Sequence, residues 1–359
     1  MFDRRLTVNF DWTLFCLAYA IALIGIVNLF SASPADAVRQ IAWLLLGTLV
    51  LAVAVVLDYH LIARLAYAAY VAVLVMLVLV FFVGRSGGGA LRWLPVGPVA
   101  VQPSEFAKLA VILVLARYFS QGERGEAPLG FRELLLPGVL VLVPTLMVAR
   151  QPDLGTALIV FLLFCAMVAI VGVRRQTLLV LAGAALAAAP LLWQHLKPYQ
   201  RARLLTFLDP EADPQRGGYQ ILQSKIAIGS GKLFGKGFTA GTQSQLQFLP
   251  EHATDFAFAV WGEEWGFLGA FLLLLLYLIL VLWGLNVALK AKDRLGALLA
   301  YGVTAMLFLH VAINIGMVTG MLPVVGVPLL LVSYGGSSLV TTLAGIGLLL
   351  NVSMRRYMF

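Results

Sequence analysis

Residues 250–284 read PEHATDFAFAVWGEEWGFLGAFLLLLLYLILVLWG, a short polar stretch that runs into a long apolar one. A helix over 255–284 is long enough to cross a bilayer core, because about 20 helical residues span ~30 Å. Carboxylates lie at its start, Asp255, and in its interior, Glu263 and Glu264. Ionisable groups at membrane depth are costly, so each of them is a candidate functional residue.

The rest of the chain has the composition of a membrane protein. It is 61% hydrophobic and 12% charged, whereas about a quarter of the residues in soluble domains are charged. The two cysteines, Cys16 and Cys165, lie in apolar runs, which excludes a disulfide framework and gives no metal-ligand spacing. The net charge of +8 is scattered among predicted loops, which argues against a nucleic-acid partner.

The apolar runs predict an all-α polytopic membrane protein, a single membrane domain over residues 1–359 that forms a bundle of ten transmembrane helices. The first run is longer than a signal-peptide core of about 7–15 residues, so we interpret it as a retained helix. The predicted spans are 12–30, 40–57, 61–83, 104–119, 133–149, 155–172, 176–194, 255–284, 296–318 and 328–350.

Charge sets the predicted orientation. If the N-terminus is cytoplasmic, the inner segments are rich in arginine and lysine, whereas the short outer loops hold only Arg39, Arg85, Arg92 and Arg150. This positive-inside bias predicts that both termini are cytoplasmic. Residues 195–254, between helices seven and eight, then form a large extracytoplasmic loop with seven basic and four acidic residues. The loop is either a solvated basic surface or a binding site for an anionic ligand.

Polar side chains gather on the predicted outer side, whereas the inner side carries little beyond arginine and lysine flanks. Glu105 and Lys108 share a helix face, and either neutralise each other for insertion or contact a substrate. Asp153 is expected to cap the helix that follows it. The small residues around Ser333 and Ser337 suit close helix packing. The candidate binding residues are Arg92, Glu105, Lys108, Gln151, Asp153, Arg201, Arg203, Lys225, Gln243, Ser244, Glu251, His252, Asn314, Ser333 and Ser337.

Asp255 is the strongest candidate for a chemical role. A helix N-terminus favours its ionised form, whereas desolvation by the neighbouring phenylalanines opposes it. The alternative is a helix cap formed by Thr254 or Asp255. A cap needs one polar residue, and this stretch has several, including Glu251 and His252.

Five long motifs resemble the SEDS family (shape, elongation, division and sporulation). They are RWLPVGPVAVQPSEFAKLA (92–110), RQPDLGTALI (150–159), GGYQILQSKIAIGSGKLFGKGF (217–238), GTQSQLQFLPEHATDFAFAVWGEEWGFLGA (241–270) and NIGMVTGMLPVVGVPLLLVSYGGSS (314–338). The resemblance covers essentially the whole chain. Two stretches, GTQSQL and NIGMVTGMLPVVGVP, are similar to the elongation branch rather than to the division paralogue.

The resemblance implies a peptidoglycan glycosyltransferase that polymerises lipid II at the outer face of the bacterial cytoplasmic membrane. It also implies a class B penicillin-binding protein as a transpeptidase partner within the elongation machinery. The family's essential aspartate falls on Asp255. An α-linked donor and a β-1,4 product call for one inverting displacement with a base, the role expected for Asp255. Arg201, Arg203 and Lys225, or a divalent cation such as Mg²⁺ or Mn²⁺, would balance the charge of the leaving pyrophosphate, and no organic cofactor is expected.

Two other functions are compatible with an apolar bundle. A lipid II flippase would need charged groups spread through the membrane and on both sides, whereas here they gather on one side. A scaffold that only holds a penicillin-binding protein has no need for an ionisable cluster at the outer face. The clustering therefore favours the enzyme.

Overall fold

The computed structural model describes residues 9–87, 90–97, 99–121, 128–195, 198–209, 217–246 and 248–356. Long helices dominate these residues, and a small antiparallel sheet of three strands, in the order β1-β2-β3, joins α4 to α5. In chain order the elements are α1 (Trp12–Ala32), α2 (Pro34–Val56), α3 (Tyr59–Arg64), α4 (Ala66–Val83), β1 (Arg85–Gly87), β2 (Ala90–Val96), β3 (Val99–Val101), α5 (Pro103–Ser120), α6 (Phe131–Arg150), α7 (Leu154–Val171), α8 (Arg175–His195), α9 (Pro198–Leu208), α10 (Gly217–Ser230), α11 (Thr242–Gln245), α12 (Ala257–Leu289), α13 (Arg294–Val318) and α14 (Gly336–Arg355).

The helices confirm a polytopic membrane protein. Among the described residues, eight helices are long and apolar enough to cross a membrane. Helix α5 is not one of the eight, because Glu105, Lys108 and Arg117 place three charged residues in it. Each predicted span overlaps a helix of the structure, and the count of ten crossings stays a prediction.

Three predicted boundaries differ from the structure. The span predicted at 61–83 is divided at Leu65 into α3 and α4. The sheet between α4 and α5 lies in a segment predicted as a loop. The last span, predicted from residue 328, is wrong at its start, because α14 begins only at Gly336. Leu331 has a φ of 71°, which is not helical, so no helix continues from Pro328 to Gly336.

Residues 319–335, which we call the re-entrant segment, dip back into the bundle. The ring Nδ1 of His310 lies 3.1 Å from the carbonyl oxygen of Pro328. His310 is about two turns before the end of α13, so Pro328 lies roughly 12 Å below that end. Irregular backbone is tolerated at such depth where protein surrounds it, and Leu329, Leu330 and Val332 are buried.

Helix α14 occupies the centre of the bundle and is almost wholly buried. It packs most extensively against α2, where glycines allow close contact: a Cβ at Gly347 would lie 2.9 Å from the carbonyl oxygen of Leu51. Asn351 ties the other end of α14 to α2 by donating to the carbonyl oxygen of Ala54 at 2.6 Å.

The end of the bundle opposite Asp255 has a polar network that the sequence analysis did not predict. His60 lies 2.9 Å from Asp58 and 2.7 Å from Asp293, and Arg355 lies 3.4 Å from Asp58. Asp58 and Asp293 also cap α3 and α13 through their side chains. These groups therefore hold helix ends together, which is a structural role.

Candidate active site around Asp255

Asp255 lies in a turn, residues 251–256, that precedes α12. The turn closes through two hydrogen bonds to the carbonyl oxygen of Glu251, from the amides of Thr254 (3.1 Å) and Phe256 (3.2 Å). Helix α12 begins at Ala257, and its N-cap residue, Phe256, makes no side-chain cap bond. The alternative interpretation of Asp255 or Thr254 as the N-cap is therefore wrong.

Two neighbouring elements, α13 and the re-entrant segment, hold this turn in place. The side-chain amide of Asn314 donates to the carbonyl oxygens of Asp255 (2.8 Å) and Val327 (2.7 Å). The amide of Tyr334, in the re-entrant segment, donates to the carbonyl oxygen of Ala253 at 2.9 Å. These bonds use backbone oxygens and do not engage the carboxylate oxygens of Asp255.

The wall beside that carboxylate is formed by Gly326. A Cβ added to Gly326 would lie 3.3 Å from Oδ2 of Asp255, so the lack of a side chain leaves space at the carboxylate. Gly326 also has a φ of 75°, which disfavours other residues. Helix α7 packs against the backbone of Gly326: a Cβ at Gly155 would lie 3.1 Å from the carbonyl oxygen of Gly326.

Arg92 and Asp153 line the α7 side of the site. Asp153 caps α7, accepting from the amide of Thr156 at 3.3 Å, which confirms the predicted cap. Its other oxygen accepts from Gln102 (3.0 Å) and Ser104 (3.2 Å). Arg92 on β2 lies 3.9 Å from Asp153. Asp153 is thus largely occupied by structural bonds.

The electrostatic environment raises the proton affinity of the Asp255 carboxylate. Burial raises the pKa of the Asp255 carboxyl to about 7, and the negative charge of Glu251 adds to the rise. Arg92 and Arg203 pull the pKa down, and Asp153 pushes it up. A carboxyl that titrates near neutral pH is suited to accept a proton from a hydroxyl. Arg203 belongs to the loop predicted over 195–254, so that loop contributes to the electrostatic environment of Asp255.

A second buried group lies on the neighbouring helices. Lys108 donates to Glu105 at 2.8 Å, and its ammonium lies 2.8 Å from Nε2 of His310. All three side chains are buried. Because His310 Nδ1 faces the carbonyl oxygen of Pro328, its ring links the Glu105–Lys108 pair to the re-entrant segment. His310 was not predicted from the sequence, although it lies four residues before Asn314 on the same face of one apolar helix.

Several predicted binding residues have structural partners away from Asp255. The side-chain amide of Gln151 donates to the carbonyl oxygen of Leu77, and Arg201 donates to the carbonyl oxygens of Trp193 and Gln194 between α8 and α9. The ring of His252 lies between the carbonyl oxygens of Leu249 and Ala32.

Most of the remaining predicted residues also contact parts of the fold other than Asp255. Ser333 accepts from the amide of Leu329, and Ser337 accepts from the amide of Gln102. The exposed Lys225 lies against Gly320. The amide of Gln243 binds Glu263. The side chain of Ser244 lies outside the described residues. Of the predicted set, Arg92, Asp153, Arg203, Glu251 and Asn314 gather around Asp255.

Replacing Asn314 with leucine tests how the Asp255 turn is held. The change leaves two buried carbonyl oxygens without a donor, and we expect it to lower the free energy of unfolding by about 2–3 kcal/mol. Asn351→Leu is the matched control, because it also removes a side-chain amide that donates to backbone carbonyl oxygens, at the opposite end of the bundle. Thermal unfolding in detergent should show both losses, whereas only Asn314→Leu should lower activity per folded molecule. Equal activity of the two variants would contradict this role.

The chain is similar to known proteins over nearly its whole length. The sequence profile of the FtsW, RodA and SpoVE family, described as cell cycle proteins, matches residues 7–358. The chain is 42% identical to the peptidoglycan glycosyltransferase MrdB of Escherichia coli (strain K12), over 98% of this chain and 95% of the relative.

Two solved structures have the same fold. One is a chain of a peptidoglycan synthase complex that coordinates polymerization and crosslinking, with a TM-score of 0.84, 37% identity, and coverage of 98% of this chain and 99% of that one. The other is the rod shape determining protein RodA of Thermus thermophilus, with a TM-score of 0.73, 33% identity, and coverage of 98% of both chains. The chain therefore belongs to the FtsW, RodA and SpoVE family of cell cycle proteins.

Proposed function

We propose that this chain is a peptidoglycan glycosyltransferase that joins lipid II units into β-1,4 glycan strands during cell elongation. The observation that carries the proposal is the Asp255 carboxyl, whose pKa of about 7 and arginine neighbours suit a base beside an anionic leaving group. The similarity to MrdB supports the same activity. By the positive-inside bias, the site would face the outer side of the cytoplasmic membrane, with both termini inside.

The reaction is one inverting displacement. The 4-hydroxyl oxygen of the acceptor sugar attacks the anomeric carbon of the donor while its proton passes to a carboxylate oxygen of Asp255. The bond from that carbon to the pyrophosphate oxygen breaks, and the electron pair leaves with undecaprenyl pyrophosphate. Attack opposite the leaving group converts the α-linked donor into a β-linked product. Pyrophosphate leaves without protonation if its charge is balanced.

Arg92 and Arg203 would balance that charge; both act electrostatically on Asp255, which supports this role. The Nε–H of Arg92 is buried and has no hydrogen-bond partner among the described residues. A pyrophosphate oxygen would provide the acceptor. Arg201 and Lys225, expected from the sequence to share this role, are occupied elsewhere or lie on the surface.

The described residues do not fit a resident metal ion. They include no group of three histidine, cysteine, aspartate or glutamate side chains that could hold one. Mg²⁺ often binds through one or two carboxylates together with substrate phosphates, so the Mg²⁺ or Mn²⁺ expected from the sequence would enter with the pyrophosphate.

The similarity to a solved peptidoglycan synthase complex supports a partner protein for this chain. The synthase complex, whose chain has this fold, combines polymerization with crosslinking. We therefore propose that this chain works with a class B penicillin-binding protein, which would supply transpeptidation within the elongation machinery.

The pH dependence of polymerisation tests the proposal. Asp255 must be ionised to accept a proton, so we expect the rate to be low in mild acid and to rise as pH passes through about 7. A carboxyl with an ordinary pKa of 3.8 would leave the rate flat over that range. The measurement is glycan-strand formation from labelled lipid II by the purified protein, with and without its transpeptidase. Absence of strands under both conditions would refute the function, and a flat profile would refute the assignment of the base.

A further inference from the structure

Helix α12 contains a break that another part of the chain fills. Gly266 has φ 65° and ψ −161°, which is not helical. Such a break leaves carbonyl oxygens before it and amides after it without helical partners. Residues 231–246, which we call the wedge segment, supply them. Four hydrogen bonds of 2.8–3.1 Å join the two: Lys236 N to Glu263 O, Gly237 N to Glu264 O, Phe267 N to Lys232 O and Leu268 N to Leu233 O.

The two backbones touch directly. A Cβ at Gly235 would lie 2.0 Å from the carbonyl oxygen of Glu264, and a Cβ at Gly266 would lie 2.3 Å from the amide nitrogen of Gly235. Both glycines also have positive φ, 81° and 65°. The wedge segment is thus fitted into α12 and is not a loop that merely lies over it.

This contact lies well below the Asp255 end of the bundle. Phe267 comes ten residues after the start of α12 at Ala257, a distance of about 15 Å along the axis. Phe234 and Phe238 of the wedge segment are exposed at this depth. Lys236 therefore places a positive charge where a charge is costly. Glu263, whose side chain is fully buried, lies 2.6 Å from the Lys236 ammonium.

Glu263 also holds the next part of the wedge segment. Its carboxylate accepts from the hydroxyl of Thr242 at 3.1 Å and from the amide of Gln243 at 3.2 Å to each oxygen. These two residues begin α11, and the chain that leaves α11 enters the 251–256 turn. A single carboxylate on α12 therefore fixes both the depth of the wedge segment and the path of the chain towards Asp255.

We propose that Glu263 is a positioning residue for the reaction, acting through Lys236 and α11 on the turn that carries Asp255. The catalytic part of this inference rests on the proposed function, whereas the positioning part rests on the contacts alone. A misplacement of about 1 Å at a reacting group can lower a rate by roughly 10²-fold. Because the contacts of Glu263 are with Lys236 and α11 and not with the residues around Asp255, its loss should affect kcat more than KM.

The first experiment measures three variants: Glu263→Gln, Lys236→Gln and the double variant Lys236→Gln/Glu263→Gln. Each is compared with the control variant Lys232→Gln. Lys232 is the matched control, because it is exposed in the same segment and forms no ion pair with any residue that the structure describes. We expect Glu263→Gln to lower kcat for lipid II polymerisation by about 10- to 100-fold with little change in KM. The double variant should lose no more than Glu263→Gln alone. Full turnover in Glu263→Gln, or losses that multiply in the double variant, would overturn the proposal.

The second experiment needs no activity. Amide hydrogen exchange of the intact protein in detergent should become faster at Gln243 and Phe256 in Glu263→Gln and in Lys236→Gln, but not in Lys232→Gln. Unchanged exchange would overturn the positioning role whatever the activity. A wild-type protein that makes no strands would refute the function and leave this measurement standing. If Glu263→Gln does not fold, Lys236→Gln carries the test, since it removes the same ion pair from the more exposed side.

Discussion

Asp255→Asn is expected to lower the rate of lipid II polymerisation by about 10²- to 10⁴-fold, the usual contribution of a general base. Asparagine has nearly the same size as aspartate but cannot take the hydroxyl proton. The fold should survive, because Asp255 makes no cap bond and Asn314 holds it through its backbone oxygen. Above pH 7 the variant should be at least as stable as the wild type, since it removes a carboxylate whose ionised form is disfavoured by burial.

Strand formation by purified wild type and variant is the measurement, with membrane expression and partner binding as checks on folding. Glu251→Gln is an informative companion. It removes a charge that raises the pKa of Asp255, so its rate profile should shift to lower pH without collapsing. A folded, partner-bound Asp255→Asn protein that polymerises at near the wild-type rate would show that another residue is the base.

Lys108→Met should have the largest effect on stability. It leaves the buried carboxylate of Glu105 without its positive partner and removes the ammonium beside His310. Breaking one side of a buried pair costs about 3–5 kcal/mol of unfolding free energy. We expect a large fall in the yield of folded protein and in the melting temperature measured in detergent.

The double variant Glu105→Gln/Lys108→Met distinguishes the two interpretations of this pair. If the pair only neutralises itself, removing both charges should restore most of the stability and the activity together. If it contacts substrate, stability should return and activity should not. The burial of both side chains favours the first result. A single Lys108→Met variant as stable as the wild type would contradict the structural role altogether.

The membrane spans were predictable because each is a continuous apolar run. Asp153 was predictable as a cap because a cap is a local feature, set by the residues just after it. The position of Asp255 was recoverable from the dense polar stretch around it, although its helix starts two residues later than predicted.

Features that depend on distant residues were not predictable. The break at Gly266 lies inside an apolar run that reads as one helix, and only the wedge segment makes it favourable. The sequence shows a carboxylate inside an apolar run at Glu263 but does not identify its partner, since Lys236 is 27 positions away. The re-entrant segment resembles the start of a span in sequence, because its side chains are apolar. The contacts that keep it from being helical are distant in sequence: Asn314 and His310 contact its carbonyl oxygens.

The central position of α14 has a consequence for how the protein is made. Helix α14 is synthesised after α1–α13, yet it fills the middle of the bundle and packs against α2. The helices made before it must therefore leave a vacant slot until α14 has been synthesised. The side chain of Gln40 is made 293 residues before its partner near the start of α14, the carbonyl oxygen of Ser333. Assembly of this bundle cannot proceed in chain order, and variants that lack α14 should be cleared by membrane proteases.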